Sequence, residues 1–177
     1  MLVQQAKVPA IAINDNGINV MRNGSLVPAM APWADLLYAS DAQWWRQNAQ
    51  QALKFPGIKA SCTEVEYRAV HHIKNTGIEG FDPNPDCIRN GGNSGYAAIH
   101  IAIHAKASRI LLLGFDMGGA HWFGQHQNGL RNTDPGTFQR WIPRFTGLIG
   151  RGSEIINCTP GSALTCFPFM PLEDALP

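Results

Sequence analysis

The sequence has 177 residues, of which 45% are hydrophobic and 15% charged, and its formal net charge is +1 at pH 7. Such a chain is long enough to bury a hydrophobic core, and its composition excludes intrinsic disorder, which requires low hydrophobicity and high net charge. A charge near zero without runs of Lys or Arg argues against binding to nucleic acid or to an acidic membrane surface. We predict one domain spanning residues 1–177.

The N-terminus and the cysteines indicate the cellular environment. No apolar stretch approaches the roughly 20 residues of a membrane span, and Met1–Ala10 lacks the apolar core of a signal peptide, so we expect no membrane span and a cytoplasmic location. The 4 cysteines lie far apart and form no Cys-x-x-Cys pair. This spacing favours free thiols over a disulfide framework or a zinc site.

The first third of the chain predicts two strands and a helix. Val8–Asn14 is apolar and rich in β-branched residues, which is typical of a buried strand. Val20–Pro32 contains Asn-Gly and two prolines and is predicted as a loop or one broken helical turn. Asp35–Ser40 is a second strand, after which Asp41 stands at the N-cap of a helix over Ala42–Leu53.

The middle and the end of the chain give weaker signals. Ile58–Ala60 and Tyr67–Ile73 are candidate short strands, and Gly77–Gly92 is predicted as a loop. Farther on, we predict a glycine-rich loop, a helix bent at a proline, a strand and a surface-lying, proline-rich tail. These segments are, in order, Met117–Gly136, Thr137–Gly150, Glu154–Cys158 and the residues after Cys166.

One unit indicates the fold class. Asn93 and Ser94 can cap a helix over Gly95–Ala107, and the continuously apolar strand Arg109–Gly114 follows and ends near Asp116. A helix followed by an apolar strand with an acidic residue at its end is typical of a parallel sheet buried on both faces. We therefore predict an α/β fold with a mainly parallel sheet.

Small polar or acidic residues follow each predicted strand. Ligands of open parallel sheets bind outside the carboxyl ends of the strands, so these residues are candidates for a binding site. The alternative is that they only form turns, because Asn, Asp, Ser and Gly are the commonest turn residues. The set consists of Asn14, Asp15, Asn16, Ser40, Asp41, Asp116, Thr159, Gly161 and Ser162.

The segment Arg89–Gly95 precedes the clearest helix. Its glycines allow close approach of the backbone, and free amides at the start of a helix attract anions such as phosphate. It matches neither a Walker loop nor Gly-x-Gly-x-x-Gly, so a plain glycine loop followed by an N-cap is an equal alternative.

The loop Asp116–His126 is the most unusual stretch. His121 or His126 can act as a general base near neutral pH, with Trp122 or Phe123 stacking on a base or sugar. A metal site built from Asp116, His121 and His126 is a second interpretation, although the spacing fits no established motif. A folded aromatic loop without chemistry is a third.

Two further pairs have structural explanations. His100 and His104 stand four apart on the predicted helix and could ligate a metal, but a polar stripe opposite an apolar face explains them more simply. Trp44 and Trp45 are expected to pack the second strand–helix unit, with the rim of a pocket as the alternative.

The order of these motifs resembles that of the bacterial sialyltransferases that use CMP-sialic acid, and of uncharacterised, largely phage-encoded proteins with a similar Rossmann-like domain. In both, strands end in Asn and in Ser or Asp, a helix begins with Asn-Ser-Gly, and a His-aromatic loop follows a Gly-x-Asp strand. The segments that carry the resemblance are Ala12-Ile13-Asn14, Asn93-Ser94-Gly95, Leu113-Gly114-Phe115-Asp116, His121-Trp122-Phe123-Gly124-Gln125-His126 and Pro160-Gly161-Ser162.

The resemblance implies a Rossmann-like three-layer fold that binds a nucleotide sugar without a metal or other cofactor. Asn14 and Asp41 would line the nucleotide cleft, Ser94 and its neighbouring amides would hold the nucleotide or sugar, and His126 would deprotonate the acceptor. A phage-encoded relative would work in the cytoplasm of its host. A non-catalytic nucleotide- or sugar-binding accessory protein of a phage is the rival hypothesis.

Three features of the family have no counterpart here. Its first strand with a Gly-x-Gly-Pro-Ser-type loop has no equivalent before Val8, so we expect one strand to be missing, truncated or replaced. Its arginine before the Ser-Gly helix falls near Gly91, with Arg89 as a candidate substitute, and Met117–Ala120 contains none of its phosphate-binding tyrosines. Because a missing strand leaves a sheet edge to cover, we expect a homodimer.

Overall fold

The computed structural model describes residues 2–22, 24–119, 130 and 132–177, apart from the side chain of residue 22. Its strands are β1 (Ile11–Ile13), β2 (Val20–Arg22), β3 (Ser25–Val27), β4 (Leu36–Tyr38), β5 (Ile58–Ser61), β6 (His71–His72), β7 (Lys74–Gly77), β8 (Cys87–Arg89), β9 (Arg109–Leu112) and β10 (Glu154–Asn157). Its helices are α1 (Leu2–Ala6), α2 (Ala42–Ala52), α3 (Ser94–His104), α4 (Pro135–Trp141) and α5 (Leu172–Ala175), with 3-10 helices at Asn14–Gly17 and Ile142–Leu148.

The fold is α/β with a mainly parallel sheet, as the sequence predicts. Strands β1, β4, β5 and β6 form one four-stranded sheet in that spatial order, and every pairing in it is parallel. Strands β9 and β10 form a second parallel pair, and β7 pairs in parallel with β8. Because neighbouring parallel strands run the same way, their carboxyl ends lie on the same edge of each sheet.

Two helices begin where the sequence predicts them. The Asp41 side chain accepts a hydrogen bond from the Gln43 amide at 2.7 Å and so caps α2. The Asn93 side chain accepts one from the Tyr96 amide at 3.1 Å and caps α3. Each cap satisfies a first-turn amide that has no carbonyl partner inside its helix.

Two hydrophobic clusters meet at β1. Trp44 and Trp45 of α2 are fully buried in the first cluster with Ala12, as the packing prediction for these tryptophans requires. Tyr96 of α3 belongs to the second, and Ile13 packs against it. Successive side chains of a strand point to opposite faces, which is how neighbouring residues of β1 reach different clusters.

Two predictions of irregular structure are wrong. Val20–Pro32 contains the antiparallel hairpin β2–β3, because Asn-Gly between two short apolar segments favours a tight hairpin turn. Gly77–Gly92 contains strand β8. The proline-rich tail after Cys166 lies largely on the surface, as predicted, while the buried Phe167 and Ala175 anchor it to the protein.

Other boundaries differ in detail. Only His71–His72 of the candidate strand Tyr67–Ile73 pairs with the sheet. The predicted bent helix is α4 followed at once by the 3-10 helix that contains Pro143, because a proline inside a helix removes an amide donor. Among the residues that the structure describes, no helix is both long and apolar enough to cross a lipid bilayer.

Candidate functional site

The carboxyl ends of β4 and β5 meet the start of α3. The Ser40 amide donates a hydrogen bond to Ser94 Oγ at 3.3 Å, and Thr63 Oγ1 donates to the Ser40 carbonyl at 2.6 Å. Ser40 follows β4, Thr63 follows β5 and Ser94 is the first residue of α3. Two strand ends and a helix N-terminus therefore converge on one point.

A buried layer lies beneath this point. Ser40 Oγ donates a hydrogen bond to the Tyr38 hydroxyl at 3.0 Å, and Asn90 Nδ2 lies 3.9 Å from Cys62 Sγ. Burial raises the pKa of Tyr38 far above its ordinary value, and the nearby Cys62 thiol adds to the effect. The phenol therefore stays neutral and serves as a fixed hydrogen-bonding group. We call Tyr38, Ser40, Cys62, Thr63, Asn90 and Ser94 the Ser40–Ser94 cluster.

The start of α3 is suited to an anion. The first-turn amides of Ser94 and Gly95 have no carbonyl inside the helix to bond, and the first turn contains no acidic side chain. The positive end of the helix dipole is therefore not neutralised by the helix itself. A side chain at Gly95 would lie 2.7 Å from the Phe115 ring, so only glycine lets the loop after β9 approach this turn.

An arginine from a distant part of the chain stands beside this helix start. Arg144 Nη1 donates a hydrogen bond to the Gly91 carbonyl at 2.9 Å, and its Nε lies 3.4 Å from a Glu79 carboxylate oxygen. Arg89, the candidate substitute for the family arginine, instead donates to the Glu79 carbonyl at 3.1 Å. The cation at the loop before α3 is therefore Arg144, from the 3-10 helix Ile142–Leu148.

The carboxyl ends of β9 and β10 form a second group. The Phe115 amide donates to Thr159 Oγ1 at 3.0 Å, Ser162 Oγ donates to the Phe115 carbonyl, and the Ala163 amide donates to the Asp116 carbonyl at 2.9 Å. We call Phe115, Asp116, Asn157, Thr159, Ser162 and Ala163 the Thr159–Ser162 cluster. Its Ser162 hydroxyl joins two loops, while the Asp116 side chain is exposed.

The end of β1 contributes two predicted residues. Asn14 has a backbone φ of +53°, a left-handed conformation that Asn tolerates better than most residues. Asp15 is buried, and its carboxylate accepts a hydrogen bond from Trp44 Nε1 at 2.7 Å. Asp15 therefore anchors α2 to the end of β1.

The candidate residues thus fall into separate groups. Asn93, Ser94 and Gly95 lie together at the start of α3 beside Ser40. Ser162 and Asp116 lie at the ends of β10 and β9, linked to α3 through Phe115, while Asp41 caps α2 and is exposed. The predictions for His121, Trp122 and His126 concern residues outside the described part of the chain.

The histidine pair of α3 is structural. His100 is fully buried, its Nδ1 accepts a hydrogen bond from the Arg89 amide at 3.3 Å, and its Nε2 lies 3.2 Å from the Asp82 carbonyl. Its ring stacks on Phe81, and His104 Nε2 lies 3.0 Å from the Cys87 carbonyl. The predicted polar stripe is wrong, because these rings face the neighbouring segments and satisfy their backbone groups.

The described surface has clefts beside two of these strand ends. The larger, of about 310 Å³, lies at the end of β10 and contains Ser162. The smaller, of about 250 Å³, lies between α2 and the segment after β5. Among the described residues, no three His, Cys, Asp or Glu side chains are grouped so that they could hold a metal ion.

No model of a known protein family matches this sequence. Comparison with curated proteins and with solved structures gives no match either. The function therefore has to be argued from the geometry of the strand ends and of α3.

Some residues of this geometry escape sequence reasoning. Cys62 and Thr63 follow a segment that the sequence does predict as a strand, so the rule of inspecting strand ends would have found them. Arg144 gave no such signal, because 50 residues separate it from Ser94 along the chain and only tertiary packing brings it to Gly91.

Proposed function

We propose that the protein binds a nucleotide sugar at the Ser40–Ser94 cluster, with the phosphate at the start of α3. The observation that carries the proposal is the hydrogen bond between Ser40 and Ser94, which joins the strand ends to a helix N-terminus. Open α/β sheets bind ligands in this position, and the amides of a helix N-terminus bind phosphate.

The local charges favour an anion over a cation. The first turn of α3 has no acidic residue, and the Arg144 guanidinium adjoins the loop that precedes it. Glu79 offsets part of that charge, but its side chain is 74% exposed and well screened by water. Ser94 Oγ adds a hydroxyl that can donate to a phosphate oxygen.

In the proposed reaction, the sugar is transferred to an acceptor hydroxyl. His126 takes the proton of that hydroxyl, the acceptor oxygen bonds to the sugar, and the bond between sugar and phosphate breaks. The departing phosphate keeps the electron pair and stays at the start of α3. This sialyltransferase-like mechanism on a Rossmann-like fold needs no metal.

A non-catalytic nucleotide or sugar binder, such as an accessory phage protein, is the second candidate. The bonds of three predicted ligand residues favour it. Asp15 is held by Trp44, Asp41 caps α2, and Ser162 bonds to Phe115. Side chains that are already held by such hydrogen bonds can shape a pocket without taking part in a reaction.

The test is a thermal-shift screen of nucleotides and nucleotide sugars, with and without chelator. A ligand at about a hundred times its dissociation constant raises the free energy of unfolding by roughly 2.7 kcal/mol, which a melting curve resolves. We expect stabilisation that chelator leaves unchanged and that Ser94→Ala weakens, whereas Ser25→Ala, an exposed serine of β3, does not. The absence of any shift would contradict the proposal.

The two candidates separate on turnover. Transfer of the sugar from a stabilising donor, lost in His126→Ala, would establish the enzyme. Binding of the same donor without transfer or hydrolysis would establish the non-catalytic binder.

A further inference from the structure

Helix α3 and strand β8 are joined through a buried histidine. His100, on the second turn of α3, is fully buried, and its Nδ1 accepts a hydrogen bond from the Arg89 amide at 3.3 Å. Because Nδ1 accepts, the neutral ring carries its proton on Nε2, which donates to the Asp82 carbonyl at 3.2 Å. One ring therefore holds both the end of β8 and the segment before β8 against the helix.

Arg89 leads directly into the loop that builds the start of α3. Asn90 follows it, and its side-chain oxygen accepts a hydrogen bond from the Gly92 amide at 2.8 Å. The Asn90 carbonyl accepts another from the Asn93 amide at 3.0 Å, and Asn93 then caps the helix. The position of Arg89 therefore sets the path of the loop on which the proposed phosphate site depends.

This loop lies tightly between α3 and Arg144. Gly91 has a φ of +64°, and a side chain there would overlap Tyr96 of α3. The Gly91 carbonyl accepts the hydrogen bond from Arg144. A shift of Arg89 would therefore disturb both the cap of α3 and the contact with the neighbouring cation, because close-packed contacts transmit a displacement.

Protonation of His100 removes its bond to Arg89. A protonated imidazole has an N–H at both nitrogens, so the new Nδ1–H would face the Arg89 N–H, donor against donor. The bond to the Asp82 carbonyl would remain, because Nε2 donates it in both forms of the ring. The change therefore acts on the end of β8.

The surroundings of the ring set the pH of this change. The titratable or charged residues that pack around it come from its own helix, from β8, from the segment before β8 and, over the Phe81 ring that stacks on His100, from the segment after Leu148; they are His104, Arg89, Asp82 and Arg151. Burial is the largest influence and lowers the pKa of His100 below its ordinary value of 6.5, while the Asp82 carboxylate opposes this effect and His104 adds to it. The ring is therefore neutral at pH 7 and takes up a proton only as the pH falls below 6.5.

We propose that His100 is a pH-sensitive positioning residue for the phosphate site at the start of α3. The neutral ring holds Arg89 and the following loop in the geometry that binds the ligand, and the protonated ring releases them and weakens binding. This inference rests on the proposed function, because the site that His100 controls is the one proposed there.

Hydrogen exchange followed by NMR tests the release without a ligand. As the pH falls from 7.5 to 5.5, the ¹⁵N signals of His100 should show protonation, and the protection of the Arg89 amide, corrected for intrinsic exchange, should fall. At pH 5.5 it should lie about tenfold or more below that of the Cys158 amide, which bonds to the Leu112 carbonyl at 2.9 Å. Unchanged protection of Arg89, or equal protection of the two amides at pH 5.5, would overturn the inference, because equal protection means that the opening is global.

Dissociation constants measured by calorimetry connect the release to the site. The probes are the phosphate methyl esters of CMP, UMP, AMP and GMP, because esterification removes the second phosphate ionisation, whose pKa of about 6 would add its own pH dependence. For each ester that binds at pH 7.5, the dissociation constant should rise about fivefold or more at pH 5.5.

Two histidine variants locate the effect. His100→Gln has no titrating group at this position, so its dissociation constant should change by about twofold or less over the same range. His104→Gln, one turn farther along α3, is the matched control and should keep the full pH dependence, because His104 Nε2 donates to the Cys87 carbonyl and protonation leaves that bond intact. A pH dependence that persists in His100→Gln would overturn the inference. The exchange experiment needs no variant and decides the release even where His100→Gln does not fold.

The failure of this inference differs from the failure of the proposed function. If the esters bind at pH 7.5 with an affinity that does not change with pH, the phosphate site stands and the role of His100 is wrong. If none of the esters binds at pH 7.5 but the Arg89 amide loses its protection, the proposed function is wrong and the release of the loop stands.

Discussion

The two clusters at the carboxyl edges contain the same kinds of residue but use them differently. In the Thr159–Ser162 cluster, Thr159 is buried, and its hydroxyl bonds to the Phe115 amide. In the Ser40–Ser94 cluster, Ser40 and Ser94 are only partly buried and Thr63 is exposed. A small polar residue after a strand can therefore have one of two roles. It can hold two segments together through a buried hydrogen bond, which we call a fastening, or it can lie at the surface where a ligand can bind to it.

The difference follows from the path that the chain takes after each strand. Asn157 is buried, its Nδ2 donates to the Leu164 carbonyl at 3.1 Å, and its Oδ1 accepts from the Thr159 amide at 3.0 Å. These bonds fold the chain after β10 back on the sheet. The chain after β4 instead enters α2 at once, so its polar groups are not needed to secure a returning segment.

The largest effect on stability is expected at Asn157, whose buried hydrogen bonds secure the segment after β10. Asn157→Ala leaves a buried amide and a buried carbonyl without partners, and we expect a loss of about 3 kcal/mol in the free energy of unfolding. Urea denaturation measures it. Thr165→Ala, an exposed position in the same segment, should change stability by about 0.5 kcal/mol or less. A loss of similar size in both variants would contradict the contrast between the clusters.

Asp15 should behave as a fastening although it follows β1. Asp15→Ala leaves the buried Trp44 Nε1 without this acceptor, which should cost about 2 kcal/mol of stability. Asp15→Asn keeps an acceptor oxygen and should lose less. The exposed Asp174→Ala serves as a control in the same denaturation assay. A variant that kept full stability but lost nucleotide binding would instead place Asp15 in the ligand site.

Helix α3 contacts both clusters and contains the buried His100. Through this residue, the free energy of unfolding of the protein should depend on pH. Burial lowers the pKa of His100 below its ordinary value of 6.5, so the folded state favours the neutral ring. Its contribution to stability is complete above pH 6.5 and decreases as the pH falls from there toward the lowered folded-state pKa. Each unit by which folding lowers the pKa corresponds to about 1.4 kcal/mol in the free energy of unfolding, which is lost when the ring is protonated in both states.

Unfolding measured from pH 7.5 to pH 5 tests this dependence. The loss of stability toward low pH should be smaller in His100→Gln than in the unaltered protein. His71→Gln, at an exposed histidine of β6, should retain the full dependence. Identical pH profiles for the His100 variant and the unaltered protein would exclude His100 as the cause.

The smallest effect on stability is expected at the proposed ligand site. Ser94→Ala removes the acceptor of the Ser40 amide, but this group is only partly buried and water can replace the hydroxyl. We expect a loss below about 1 kcal/mol in denaturation, together with about tenfold weaker nucleotide binding in calorimetry. A large loss of stability would make Ser94 a fastening like Thr159.

Local signals predicted the elements that depend on local chemistry. Asp41 and Asn93 cap helices because a side-chain oxygen two or three residues before a free amide can bond to it whatever surrounds the helix. The apolar strands that end near Ser40 and Gly114 were also predicted from a local signal, because a short continuous run of apolar residues indicates a buried strand. The hairpin β2–β3 was missed although the sequence places Asn-Gly between its two strands, because each strand has only three residues.

The sequence by itself determined the α/β class, the helix starts and the polar character of the strand ends, since each follows from periodicity or from a bond between near neighbours. Tertiary structure decided which strand-end residues are fastenings, that His100 is buried, and that Arg144 stands at Gly91. Those outcomes depend on contacts between residues far apart in the chain. Burial and hydrogen-bond partners of that kind arise only when the whole chain packs.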